Sequence, residues 1–289
     1  MPFALADLVA VLDLAPDGED RHVGLSPDLG SGRIFGGLVV AQALVAMGRT
    51  SPERPAHALH GAFMLPGDPA APIAYAVERL RDGGSFSTRR CTAWQHGRPI
   101  FAATASFHRA EPEALEHQVA PPAVPAPEDL PGLDAIRAGR AGSLPPAVQA
   151  YFSRDGSIEL RPCDLGRFGD GTRDAARPPR QAVWMRAAGR LPDDPALHAA
   201  LLAYMSDLTL LDTALVAHGR SVFDAAVQAA SLDHALWFHR AARADGWLLY
   251  AEDSPTAAGG LGFTRGTLFD QAGRLVASTA QEGLIRLRR

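Results

Sequence analysis

The most constraining feature of this 289-residue chain is that it repeats itself. Gly83-Gly84-Ser85-Phe86-Ser87-Thr88-Arg89 and Gly259-Gly260-Leu261-Gly262-Phe263-Thr264-Arg265 share the glycine pair, the threonine and the arginine at one offset of 176 residues. The same offset, without a gap, sets Gly97-Arg98 on Gly273-Arg274 and Ile100 on Val276. A period this long exceeds any solenoid repeat, so it predicts two fused copies of one fold. Differences between the copies then become informative. Position 281 is Gln where the first copy has Ala105, so one unit places an amide where the other keeps a small core-type residue.

The chain is long enough for two units of ordinary size, each with its own core. Charged residues make up 21% of it and the net charge is −4, without basic clusters, which argues against a nucleic-acid partner. No apolar run approaches the roughly 18 residues of a membrane-spanning helix, so no membrane partner is expected. The N-terminus lacks the basic segment of a secretory signal, and a cytoplasmic location is expected. Two cysteines, Cys91 and Cys163, are too few for a metal cluster or a disulfide framework and read as small buried hydrophobes. The paired histidines, His57/His60 and His234/His239, lie on predicted strands at odd spacings that point to opposite faces, and no metal or other cofactor is expected.

In chain order, an amphipathic helix ends near Pro16-Asp17-Gly18, and the glycine-rich stretch Gly30-Ser31-Gly32 reads as a strand-to-helix turn. The stretch 38–47 is apolar nearly all round, so it predicts an enclosed helix. Strand signals follow at 58–65, 73–80, 86–94 and 100–108, broken by Gly- or Asp-bearing turns, which reads as an antiparallel meander. One enclosed helix and a long meander predict an α+β unit in which the sheet curls around the helix. Eleven of the 23 prolines then fall in 111–180, a density that prevents long regular elements. The division predicted is a first unit at 1–110, a Pro-rich linker at 111–156 and a second unit at 157–289. In the second unit a strand at 182–189 precedes a helix at 196–205 capped by Asp193 or Asp194, with Pro195 at its first position. Ser206-Asp207 interrupts before a second apolar piece at 208–216, and strands are predicted at 227–239, 247–253, 262–270 and 274–287.

These residues resemble a known family. Arg33-Ile34-Phe35-Gly36-Gly37-Leu38-Val39, Phe63-Met64-Leu65-Pro66-Gly67-Asp68, Tyr204-Met205-Ser206-Asp207-Leu208, the segment from Ser231 to His239, and Ser278-Thr279-Ala280-Gln281-Glu282-Gly283 are similar to the type II acyl-CoA thioesterases. The blocks run in order from about residue 21 to residue 285. The resemblance implies a double hotdog fold, acyl-CoA as the small-molecule substrate, and a homo-oligomer. It also implies an active site in the second unit made of an aspartate, a hydroxyl residue and a glutamine, which match Asp207, Ser231 and Gln281. Serine at 231 is a mild departure, because threonine is common there, and it keeps the hydroxyl. The first unit would wall the substrate.

The residue types suit the chemistry. A thioester leaves as a thiolate of low pKa, about 8.5 for a free thiol, so a positioned water and a base to take its proton suffice. Asp207 is the candidate base, with Ser231 and Gln281 holding the water. Each also has a plain structural reading. Asp207 sits where a helix cap would, Ser231 can satisfy a neighbouring carbonyl on a strand, and Gln281 can be a solvent-facing strand residue. Asp233-His234 cannot form a dyad on a regular strand, where neighbours point apart, so His234 is expected to pack or orient. Among the arginines, Arg240, Arg265, Arg286, Arg288 and Arg289 are candidates for coenzyme A phosphates, none singled out. The absence of Gly-x-Ser-x-Gly removes the nucleophile-elbow hydrolases. Two alternatives stay open: a hotdog enoyl-CoA hydratase, whose Asp/His motif is not found, and a non-catalytic acyl-CoA-binding protein.

Overall fold

The computed structural model of the chain describes residues 3–27, 32–111, 115–132, 135–136, 138, 144–153, 156–168 and 177–288. Gly30 and Ser31 of the glycine-rich turn, and Arg289, lie outside them. The first half comprises α1 (Leu5–Leu12), β1 (Ala15–Pro16), β2 (Arg21–Gly24), α2 (Gly36–Arg49), β3 (Ala56–Phe63), β4 (Ile73–Asp82), β5 (Phe86–Gln95) and β6 (Arg98–His108). There follow α3 (Pro146–Ser153), β7 (Ile158–Pro162), β8 (Arg180–Ala187), α4 (Pro195–Met205), α5 (Thr213–Val216), β9 (Val227–Ser231), β10 (Asp233–Phe238), β11 (Leu248–Ala258), β12 (Leu261–Asp270) and β13 (Leu275–Leu287).

Among the described residues the strands join into one 13-stranded sheet of order β1-β2-β4-β5-β6-β3-β10-β13-β12-β11-β8-β7, with β9 also on β13. The pairing is antiparallel throughout. The order corrects the simple meander. Of the four strands β3 to β6, only β4, β5 and β6 follow one another; β3 pairs with β6 instead of β4. The connection through Pro66-Gly67-Asp68-Pro69 carries the chain from one edge of the curl to the other, which leaves β3 free to meet β10. That β3–β10 ladder fuses the halves into a double hotdog, one helix inside each curl.

Both central helices are made of residues with no other place to go. Ten of the 14 residues of α2 are buried, and α4 is buried along most of its length. By composition Pro195–Val216 is long and apolar enough to cross a membrane, contrary to the expectation from sequence. Its apolarity is that of a core helix, because 78% of that window is buried inside the protein. Asp194, not Asp193, caps α4, accepting the Ala196 N–H at 2.9 Å. Leu38, Val40 and Leu44 of α2 belong to the same apolar cluster as Leu201, Leu202 and Met205 of α4, so the halves share one core. Cys91 is buried as expected, whereas Cys163 is only partly so; burial pushes the Cys91 thiol up to about 12 and Cys163 up to about 11, so both stay protonated. Part of the Pro-rich stretch, around Val124 to Leu130, lies against the second half of the sheet. There Val124 and Leu130 pack on Trp184 and Trp247, and Trp184 donates to the Pro125 carbonyl at 2.9 Å.

The repeat itself needs a correction of one residue. Ala105 pairs with Arg89, and Gln281 pairs with Thr264, so the ladder equates Arg89 with Thr264 rather than with Arg265. Two matching ion pairs agree: Arg90 with Glu78 and Arg265 with Asp253, both bidentate and both at an offset of 175. The cause is turn length. Three residues link β4 to β5, whereas Gly259 and Gly260, at φ +62° and +83°, make a two-residue turn between β11 and β12. A longer turn before β13 restores the offset of 176, so Ala105 and Gln281 do occupy equivalent inward positions. Arg89 is buried and donates to the Thr50 hydroxyl and carbonyl, to the Arg81 carbonyl and to Asp82. Arg265 lies on the surface.

Replacing Arg89 by Met would strand those acceptors and cost on the order of 2–4 kcal/mol. Arg265→Met, its partner in the ungapped repeat, would cost under about 1 kcal/mol. Urea unfolding midpoints measure both, and equal losses would contradict the shifted register.

Candidate active site

The site lies where the end of one helix faces the start of the other. Helix α4 stops at Met205, and Ser206 closes its last turn by donating its N–H to Leu202 O at 2.9 Å. The Ser206 carbonyl, which the helix would leave unpaired, accepts the Tyr250 hydroxyl at 2.9 Å. Asp207 is thereby held just past the helix, with its side chain 4% exposed. Opposite it stands the N-terminus of α2. No side chain caps that helix, and the Gly37 N–H donates to the Asp207 carboxylate. A helix N-terminus carries a partial positive charge, so it favours a carboxylate here.

The glycine pair before α2 is explained by this contact. A Cβ on Gly36 would stand 2.8 Å from Asp207 Oδ2 and 3.0 Å from the Phe63 ring. A Cβ on Gly37 would stand 2.6 Å from the Tyr204 carbonyl oxygen. Only hydrogen lets the two helix ends approach this closely. The first half thus supplies part of the site directly, where the sequence suggested only a wall. The signal was available in Gly36-Gly37 ahead of an apolar helix, but nothing in the sequence says which carboxylate meets it.

Sequence-predicted Asp207, Ser231 and Gln281 come together from three elements. Gln281, fully buried on β13, donates from Nε2 to Asp207 Oδ1 at 2.6 Å. Ser231, at the end of β9, places its hydroxyl 3.5 Å from the same oxygen. His234 of β10 joins them: Gln281 Nε2 lies 3.1 Å from its Nδ1, and Ser206 Oγ lies 2.8 Å from its Nε2. Ser231 and His234 are three residues apart and would face opposite ways on a regular strand. A bulge reverses that. Ser231 pairs with Gly283 but Ala235 with Ala280, so one extra residue is inserted at Leu232-Asp233. The bulge is pinned by Asp233, which accepts the Glu282 N–H at 2.7 Å, and by Leu232, which donates to the Glu282 carbonyl.

Burial dominates the electrostatics. It pushes the Asp207 carboxyl up to about 6, against the opposing effect of its bonds to Gln281, Gly37 and Ser231. Burial also pushes His234 down to about 4, so the imidazole is neutral at pH 7. The 3.9 Å approach of His234 Nδ1 to Asp207 is therefore no ion pair at that pH. One polar atom in the site, Gln281 Oε1, is buried with no protein partner. Of the arginines considered from sequence, Arg240 is held by the Leu275 carbonyl and Glu116, and Arg265 by Asp253. Neither joins this constellation.

Comparison with known proteins agrees with this architecture along the whole chain. Residues 25–108 match the family model described as the acyl-CoA thioesterase N-terminal domain, and residues 168–284 match the model described as acyl-CoA thioesterase. Human acyl-coenzyme A thioesterase 8 is 38% identical over 97% of this chain and 89% of its own length. Acyl-CoA thioesterase 2 of Haemophilus influenzae is 38% identical over 98% of both chains. The crystal structure of an acyl-CoA thioesterase II from Mycobacterium marinum superposes with a TM-score of 0.79 at 42% identity, covering 97% of this chain and 98% of that one.

Gly36→Ala tests the helix-end contact. The added methyl would displace Asp207 or Phe63, lowering stability by about 1–3 kcal/mol and thiol release from acyl-CoA by at least tenfold. A variant that melts and turns over like the parent would show that the close approach is dispensable.

Proposed function

The chain belongs to the acyl-CoA thioesterase family, and on that premise we propose that it hydrolyses fatty acyl-CoA with a water activated by Asp207 and oriented by Ser231 and Gln281. The observation that carries the reading is the buried, unpartnered Gln281 Oε1 beside a carboxylate whose surroundings bring it near neutrality. A water donating one hydrogen to Gln281 Oε1 and the other to Asp207 satisfies the orphaned acceptor. It also has a lone pair left for the thioester carbonyl carbon.

The steps then balance without a covalent enzyme intermediate. Asp207 takes a proton as the water oxygen forms its bond to the carbonyl carbon, and the carbonyl oxygen gains negative charge. The positive end of α2 lies at the same place and favours that charge. Collapse of the tetrahedral intermediate breaks the carbon–sulfur bond, and coenzyme A departs as thiolate or takes the proton back from Asp207. When the thiolate takes the proton back, the carboxylate is restored at once; when coenzyme A leaves as thiolate, Asp207 keeps the proton until it passes to solvent, which restores the carboxylate. His234, neutral and buried, takes up no second proton on this route.

Two outcomes are expected. Asp207→Asn should lower kcat for thiol release by on the order of 10²–10⁴, the range typical of a lost general base. It should not melt lower at pH 8. The folded carboxyl titrates near 6, above its unfolded value of 3.8, so its charge destabilises the fold progressively between those pH values and fully above them. An Asn variant with parental turnover removes Asp207 as the base. Second, kcat/KM should rise about tenfold per pH unit up to about pH 6 and level off above it, as an ionised base at that pKa requires. A profile flat from pH 4.5 to 8 would contradict the assignment.

A further inference from the structure

We propose that His234 and Ser206 form a positioning device that fixes the Gln281 amide in the one orientation able to hold the nucleophilic water, an inference that rests on the hydrolytic reading of the site. The starting point is the Ser206 hydroxyl, which donates to the Ala203 carbonyl at 2.9 Å. Its hydrogen is committed there, so toward His234 Nε2, 2.8 Å away, it acts as acceptor. His234 therefore carries its proton on Nε2 and presents a bare lone pair at Nδ1. The amide group 3.1 Å from Nδ1 is then the Gln281 N–H side. The same nitrogen sits 2.6 Å from Asp207 Oδ1, where an amide oxygen would face an ionised carboxylate.

Both contacts impose one answer. With Asp207 ionised, a flip of the amide would set oxygen against oxygen on one side and oxygen against a lone pair on the other. Each Gln281 amide hydrogen is used, one on Asp207 and one on His234. The oxygen is driven to the remaining direction, where it has no protein partner although it is buried. Without His234, the Asp207 contact would still select nitrogen on one side, but the amide could turn about its own axis and pull Oε1 away from the water. His234 holds the plane, and Ser206 holds His234 in the right tautomer.

The first half of the chain has no such device. Ladder register sets Leu59, opposite Ala105, at the position of His234, one step beyond the Ala235–Ala280 pair. An imidazole on an inward strand position thus accompanies the amide in the half that carries Gln281, and an aliphatic side chain accompanies Ala105. A histidine kept only to fill volume would need no donor at Nε2 and no lone pair at Nδ1. In this site both nitrogens are used, in opposite senses.

The test is a kinetic cycle between His234 and Gln281. His234→Leu should lower kcat for thiol release by roughly 10- to 100-fold, the range for partners that orient a reacting group, with KM within about threefold of the parent. His234→Asn can offer an acceptor oxygen where Nδ1 stood and should recover most of that loss. In a Gln281→Ala background, His234→Leu should have little further effect, because its effect passes through the amide. A parental kcat for His234→Leu, or a loss of equal size in the Gln281→Ala background, overturns the proposal. If Gln281→Ala alone is parental, the hydrolytic reading fails at Gln281 and the positioning role falls with it. If Gln281→Ala is slow while His234→Leu is fast, only the positioning role falls. Should His234→Leu not fold, Ser206→Ala, which frees the tautomer, is carried through the same cycle with the same deciding outcomes.

Discussion

A carboxylate carried just past the end of α4 meets the free start of α2, and the site is arranged around keeping that charge out of water. Removing an ion from water costs several kcal/mol even after relaxation. Against this stand the positive end of α2, worth up to about 2 kcal/mol in partly buried geometry, and hydrogen bonds to a charged group at about 1.5–3 kcal/mol each. The offsets do not quite match the cost, and Asp207 is left pushed up to about 6. That imbalance is useful to a base, since a carboxylate near 6 accepts a proton far more readily than one near 4 while remaining mostly ionised at pH 7. It also explains why the two halves cannot be separated as chemistry. The helix end comes from one half, and the carboxylate and amide come from the other.

The second constraint is the β3–β10 seam. Pairing there runs from Asp233–Ala62 to Trp237–Ala58, so the strand that carries His234 is fixed against the first half over all but its last residue. On its other edge it is tied to β13, which carries Gln281. The bulge at Leu232-Asp233 breaks the period-two rule between these anchored edges, turning Ser231 and His234 onto one face. A bulge in a free strand would relax by slipping register. In this sheet the Phe63 N–H donates to the Leu232 carbonyl at 2.8 Å and Leu232 donates to Glu282, so both neighbours hold it in place. Order in the sheet thus becomes order in the site.

Much of this was legible in the sequence, for reasons that differ by feature. The enclosed helices were readable because Leu38-Val39-Val40 and Ala199-Ala200-Leu201-Leu202 have no polar face to show to water. The contrast of Gln281 with Ala105 was readable because the duplication supplies its own control, and the ladder keeps those two positions equivalent. The strand order was not readable, since local patterning says where strands are and not which edge a nine-residue connection reaches. The one-residue slip over β12 was hidden because a shorter turn before it and a longer one after it cancel. An orienting or packing role for His234 was among the expectations, but its shared face with Ser231 was hidden by the bulge: alternation, applied to an unbroken strand, sends the two apart. Bulges leave no mark in composition.

Equivalent strand positions of the two halves differ in the polar groups they bury. Register equates Val77 with Glu252, which is fully enclosed and pushed up to about 7 by burial. Its oxygens accept the hydroxyls of Thr209 and Thr213 and the amide of Gln181. Thr209 lies two residues past Asp207, so this cluster ties the chain leaving the site down to β11. Leu59 against His234 and Ala105 against Gln281 follow the same pattern, apolar in one copy and hydrogen-bonded in the other. Placing His234 where the first half has Leu59, and Glu252 where it has Val77, gives up apolar burial worth roughly 1.5–3 kcal/mol each for a group that is neutral at best when fully bonded. A lone unit making several of them would be marginal. The first half buries polar groups of its own, Gln42 with Tyr75 and Arg89 with Thr50 among them, and the apolar cluster continuous from α2 to α4 supports both halves. Duplication with fusion therefore does more than provide a wall: it lets the polar groups at Glu252, His234 and Gln281 rest on a core that both halves share.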